Sequence, residues 1–150
     1  MTKMPRIVAI ISIVAGAILI VLGGITYYTV HRELADQKIT VSDDAKNFGG
    51  DPVEGPFTAY AQAMAIGEHA LKIGGGKTYA ELPQDDPNRE TVLTASFLQA
   101  SLFTSVLAFG VAVMATGLGV VLILVGVALR SLARRSGAAA AVAPETGVTA

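Results

Sequence analysis

The sequence predicts an all-α integral membrane protein: two transmembrane helices joined by a small helical extracytoplasmic segment. Three observations predict it. Two long blocks near the ends carry no charge, lysines and arginines collect just outside those blocks, and the stretch between them is polar and acidic. Hydrophobic residues are 52% of the 150 and charged residues 15%. That is more apolar than a soluble domain of one-domain length, and the excess is confined to the two blocks.

The first block is IVAIISIVAGAILIVLGGITYYTV, residues 7–30, after a short N-terminal flank of residues 1–6. A helix of this length covers the ~30 Å hydrocarbon core at ~1.5 Å per residue. Backbone groups in lipid have to be satisfied within the segment, which makes a helix the expected form. Tyr27 and Tyr28 stand at its far end, where amphipathic rings favour the interface. A cleaved signal peptide is the competing reading. It calls for a shorter apolar core and a small-residue cleavage site, and TYYTVHREL offers none.

The second block is SFLQASLFTSVLAFGVAVMATGLGVVLILVGVAL, residues 96–129, with no charge between Glu90 and Arg130. It exceeds the bilayer core and is expected to tilt or project. Lys3 and Arg6 flank the first block, and Arg130, Arg134 and Arg135 flank the second. Basic residues favour the cytoplasmic side, so both termini are expected there, in the inner (plasma) membrane. Residues 31–95, with six basic and eleven acidic side chains, are expected outside.

Within that outer segment the first helix is expected to continue through TVHRELADQK. ITVSDDAKNFGGDPVEGP reads as loop. A second helix is expected from Pro56, with Gly55 as its cap and Gly74 to Gly76 as its stop. Phe57, Tyr60, Met64 and Leu71 fall roughly on one face of it, beside alanines. Phe57, Tyr60 and Met64 form a candidate outer binding face. Thr78 with Glu81 is a capping-box spacing, and Asp86-Pro87 is a helix-start signal for one long helix running to Leu129. Residues 130–150 are a cytoplasmic basic flank followed by the low-complexity tail SGAAAAVAPETGVTA, which is expected to be disordered or loosely held.

The clearest pattern in the second block is a row of small residues. Ser101, Ser105, Ala108, Ala112, Ala115 and Gly119 recur at steps of four and three, and Gly126 continues the row after Leu122. The first block has a shorter version in Ala9, Ser12 and Gly16. In lipid, helices associate where small side chains let backbones approach. These residues are a candidate helix-packing face, with the chain's own first span or another integral membrane subunit as its partner.

Chemistry is hard to find. Gly76-Lys77-Thr78 looks like the end of a phosphate-binding loop, but the first glycine of that motif would fall on Leu71, and a helix, not a strand, precedes it. No nucleotide is expected. His31 and His69 lack a carboxylate or histidine three or four residues away that would make a ligand pair on a helix, so no metal is expected. The pairs Asp43-Asp44 and Asp85-Asp86 sit beside turn and cap signals. No cysteine is present, which excludes thiolate sites and disulfides. A net charge of −1 gives no basic surface for nucleic acid. The reading that follows has no enzyme, no cofactor, and membrane lipids and membrane subunits as partners.

LADQKITVSDDA, GPFTAYAQAMAI and GGKTYAELP together resemble a group of small two-span actinobacterial membrane proteins, over about Val30 to Arg130. Such sequences often carry the label of an aromatic ring-opening dioxygenase subunit. That activity needs a non-haem iron held by histidines and a carboxylate, which the histidine spacing here does not supply. Small two-span proteins of this kind are similar to accessory subunits of large actinobacterial membrane assemblies, notably the respiratory supercomplex of cytochrome bcc and cytochrome aa3. With the small-residue row and no catalytic or cofactor-binding constellation, this similarity leads to the expectation of a non-catalytic accessory or assembly subunit that docks through its small-residue transmembrane face. The alternative is an independent membrane-anchored module that binds a lipid, a wall component or a protein.

Overall fold

The computed structural model describes residues 3–142. Among them the fold is all-helical: α1 (Lys3–Asp36), α2 (Pro56–Ile73) and α3 (Arg89–Val142). α1 and α3 are both long and apolar enough to cross a membrane, and only 17% of the most apolar window of each is buried. The core helix of a soluble protein hides most of such a window. Here Ile10, Ile11, Val14, Leu107, Met114 and Leu124 all stand exposed, which is compatible with a membrane location. The chain divides into two compact units: Met1–Gly23 with Met114–Ala150, and Gly24–Val113.

In the first unit, α1 and α3 meet along their smallest side chains. Ala9, Gly16 and Gly23 of α1 and Gly119, Gly126 and Ala133 of α3 are buried and recur every seven residues. A Cβ added at Gly119 would stand 2.5 Å from the Gly16 carbonyl oxygen, and one at Gly126 would stand 2.7 Å from that of Ala9. No side chain larger than hydrogen fits there. The glycines let the two backbones touch, so dispersion contacts run along the whole seam.

The second unit, Gly24–Val113, has a core of Leu34, Val41, Val53, Ala59, Ala63, Leu102 and Phe109. These come from all three helices and the connecting loop. Tyr27 meets Phe109 edge to face at 4.8 Å between ring centroids. The loop after α1 turns at Lys38, which takes a left-handed conformation (φ 53°). It then forms a short antiparallel pairing. Val53 N–H donates to Ile39, Val41 N–H to Asp51 and Gly50 N–H to Val41, around one bridge between Thr40 and Pro52. The β-branched run Ile39 to Val41 supports this pairing, although it is too short to count as a strand.

α2 begins at Pro56, as its sequence predicts. Thr58 Oγ1 accepts from the Gly55 and Glu54 amides at 3.2 Å each, which satisfies donors at the helix start. At its other end Gly76 N–H donates to Leu71 and Gly75 N–H to Lys72, with Gly75 at φ 63°. This is a Schellman closure.

Two expectations need correction. α3 begins at Arg89, not at Pro87. Asp86 precedes it in a turn, its Oδ1 accepting from Asn88 N–H at 2.8 Å and its carbonyl from Arg89 N–H. At the other end α3 passes Leu129 and Ser136 and runs to Val142. The run Ala138 to Ala141 has the highest helix propensity available, which outweighs its low complexity. The rest of the expected loose tail, residues 143–150, lies outside the described residues.

Candidate functional site

α2 buries its small side chains and exposes its large ones. Ala59, Ala63, Ala65 and Ala70 are buried with Gln62. Phe57 is 74% exposed, Tyr60 51% and Met64 40%. Alanines on the inner face bring α2 close to its neighbours. The spacing of Phe57, Tyr60 and Met64 then places them together on the outer side. A soluble helix normally hides such residues, so a cluster of exposed aromatics is a signal of contact with something else.

The loop supplies the opposing wall. Ala45, Lys46 and Phe48 face Phe57, Tyr60 and Met64 across a groove of about 260 Å³. Phe48 holds a left-handed backbone (φ 62°) beside Gly49 and Gly50. Such a conformation costs a non-glycine residue about 1–2 kcal/mol, and here it directs an aromatic ring into the groove wall. Phe103 of α3 extends the aromatic surface, its ring 5.9 Å from that of Tyr60.

Polar contacts tie the loop to α2. Gln62 Oε1 accepts from Ser42 N–H at 2.8 Å and from Ser42 Oγ at 3.2 Å. His69 Nε2 donates to Asp44 Oδ2 at 2.7 Å, and Lys72 Nζ approaches the same oxygen at 3.9 Å. Lys46 Nζ pairs with Glu68 Oε1 at 2.9 Å on the groove rim. The His69 hydrogen bond lowers the Asp44 pKa below its ordinary 3.8. The Lys46 hydrogen bond lowers that of Glu68, and the same bond raises that of Lys46. All of these groups are solvent-exposed, so each pair adds modest, salt-sensitive stability.

The other residues singled out by sequence fall as follows. Gly16 meets Gly119, and Ala9 meets Gly126, so those members of the small-residue row contact each other within the chain. Ala112 is buried, and Ser12, Ala115, Ala108 and Ser105 are half-buried. Ser101 is exposed, its carbonyl accepting from Ser105 Oγ at 3.3 Å. In the stretch 101–109 the core is filled by Leu102 and Phe109 instead, because α2 and the loop pack there and larger side chains are needed to reach them.

His31 Nδ1 donates to the Glu54 carbonyl at 2.6 Å. Among the described residues no three His, Asp or Glu side chains gather as a metal site. At the Gly-Lys-Thr stretch, the Gly75 and Gly76 amides that would cradle a phosphate are already spent on closing α2. Thr78 N–H and Oγ1 both donate to Glu81 Oε2 at 2.8 Å, the backward half of the expected capping box.

The spacing of Phe57, Tyr60 and Met64 placed them on one face of α2, but the residues that line the groove with them were not picked out. Phe48 had a usable signal, a lone aromatic within the turn-forming run Asn47-Phe48-Gly49-Gly50. Lys46 and Glu68 had none, since their pairing depends on how the loop folds back. Neither the family models, the curated proteins nor the solved structures gave a match to this chain.

Proposed function

We propose that the chain is an integral membrane protein that serves as a non-catalytic accessory or assembly subunit of a larger membrane complex. Both termini face the cytoplasm, and the partner is held through the aromatic groove on Gly24–Val113. The observation that carries this reading is the exposure of Phe57, Tyr60 and Met64 opposite Phe48. Aromatic residues and methionine are enriched where proteins meet, and a few anchors that become fully desolvated on binding carry most of such binding energy. The small-residue row was the other candidate for docking. Its glycines are occupied by the chain's own helix pair, which leaves the groove as the surface that needs a cover.

The groove, about 260 Å³ and open to solvent, has room for one inserted side chain of a partner. The resemblance above makes the cytochrome bcc–aa3 supercomplex the first assembly to test.

A second reading, a membrane-anchored module that binds its own ligand, draws on the same exposure and on the Lys46–Glu68 pair at the rim. One experiment separates the two. The chain is recovered from native membranes in mild detergent, with mass spectrometry and a visible absorption spectrum. Stoichiometric co-purification with a large complex, lost in Phe57→Ala/Tyr60→Ala, supports the subunit reading. Haem bands would identify the respiratory assembly. Recovery as a stable lone protein sinks it and favours the module.

A further inference from the structure

We infer that Arg6, Arg130 and Arg134 form a seat for the phosphate of an anionic phospholipid. This rests on the membrane reading above. The glycine seam sets the register of α1 against α3 so that Gly126 meets Ala9. About one turn beyond, the same register brings Arg6 of α1 beside Arg130 and Arg134 of α3. The three side chains and Ile10 line one pocket of about 380 Å³. Arg6 and Ile10 are four residues apart on α1, and Arg130 and Arg134 four apart on α3, so each pair shares a face.

Three guanidinium groups around one space repel one another unless an anion enters. No carboxylate occurs in the sequence between Met4 and Tyr28 or between Thr91 and Arg134, so neither helix supplies one there. Guanidinium forks match phosphate oxygens in bidentate geometry. The pocket is also amphipathic. Ile10 is 56% exposed inside it, and Ile7, Ile11 and Val14 continue an exposed apolar surface along α1. A phospholipid offers both halves, an anionic head for the arginines and an acyl chain for the isoleucines. Basic pockets between spans on the cytoplasmic side are suited to such headgroups.

The test uses the full chain in detergent, titrated with phosphatidylglycerol or with phosphatidylcholine of the same acyl chains, and read by native mass spectrometry. The wild type is expected to retain phosphatidylglycerol at least about tenfold better, equivalent to ~1.4 kcal/mol. Arg6→Gln/Arg130→Gln/Arg134→Gln is expected to lose that preference. Arg32→Gln/Lys38→Gln, which removes charge elsewhere, is expected to keep it. All three arginines are exposed, so the triple variant is expected to fold, with helical circular dichroism equal to that of the wild type as the check. Equal retention of both lipids by the wild type, or an undiminished preference in the triple variant, overturns the proposal. If inorganic phosphate alone stabilises the wild type against heat as phosphatidylglycerol does, the seat takes free phosphate and the lipid assignment falls. Alkaline carbonate extraction keeps the two failures apart. A chain released from membranes sinks the membrane reading itself, whereas one that stays but ignores phosphatidylglycerol sinks only the seat.

Discussion

At the residue scale, Asp44 and Phe48 govern the groove wall. The Asp44 carboxyl titrates below its ordinary 3.8 because His69 donates to it. A carboxylate depressed in the folded state stabilises that state above its unfolded pKa, and the contribution disappears as pH falls through the lowered value. Glu68, lowered by Lys46, acts in the same direction. The loop is therefore expected to stay anchored to α2 at neutral pH and to loosen below about pH 4. Hydrogen exchange at the Val41 and Gly50 amides would report this as lost protection. Asp44→Asn should show less protection at neutral pH and a flatter acid response; an acid response identical to wild type would remove Asp44 from the account.

Phe48 offers a different contrast. Phe48→Gly relieves a left-handed backbone worth about 1–2 kcal/mol, and the ring it removes is 46% exposed. Thermal stability is expected to hold or rise while partner retention falls. A variant that loses stability and retention together would mean the ring is structural. Phe48 could not be placed from sequence. Its role depends on a turn that aims it at α2, and the run Asn47 to Gly50 specifies a turn without specifying its direction.

At the element scale the α1–α3 seam makes a sharp prediction. Gly119 and Gly117 lie two positions apart on one helix, so propensity treats them alike. A Cβ at Gly119 meets the Gly16 carbonyl, and one at Gly117 meets nothing within 4 Å. Gly119→Leu is expected to destabilise the helix pair by about 1–3 kcal/mol, the usual cost of forcing volume into a closed contact. Gly117→Leu should be near neutral. Thermal unfolding in detergent, read by circular dichroism, measures the difference, and equal effects would show that the seam does not hold the pair. Gly119 and Gly126 were readable as positions of close approach because the row they belong to follows helical spacing, whereas at the Ser101 end Leu102 and Phe109 fill the core instead. The row's partner was not legible, since Ala9, Ser12 and Gly16 and an unrelated protein would serve equally well on spacing alone.

α2 teaches the same lesson with the sign reversed. Its bounds were readable from Pro56 and Gly74 to Gly76, because each terminus is fixed by local backbone chemistry. Which face it buries was not. Phe57, Tyr60 and Met64 share a face that could serve as core or as an outer surface, and the structure buries the alanine face instead. The polar residue on that face, Gln62, is buried because it accepts both hydrogen bonds of Ser42. Gln62→Ala would leave the Ser42 amide without its acceptor, at about 1–3 kcal/mol, with loss of amide protection in the loop as the readout.

At the scale of the whole molecule, the prediction is topological. The chain has no cysteine, so single cysteines can be introduced one at a time without background. Lys77→Cys is expected to react with an impermeant maleimide in intact cells, and Ser131→Cys only after lysis. Labelling of both sites from outside, or of neither, would refute the arrangement in which both termini are cytoplasmic.

The sequence by itself determined what depends on short-range rules: which segments are helical, where α2 starts and stops, and that two of the helices are apolar enough for lipid; both ends of α3 escaped it. These follow from composition, spacing and backbone propensity, which act within a few residues. The tertiary structure alone decided that the glycine row closes on Gly16 and Ala9, that the loop folds back to pair Asp44 with His69 and Lys46 with Glu68, and that α2 turns its aromatic side outward. It also decided that Arg6, Arg130 and Arg134 line one pocket. Each of these is a choice of neighbour between residues distant in the chain. The physical reason is that such contacts draw their energy from complementary surfaces, and one surface read along a sequence does not identify the one that meets it.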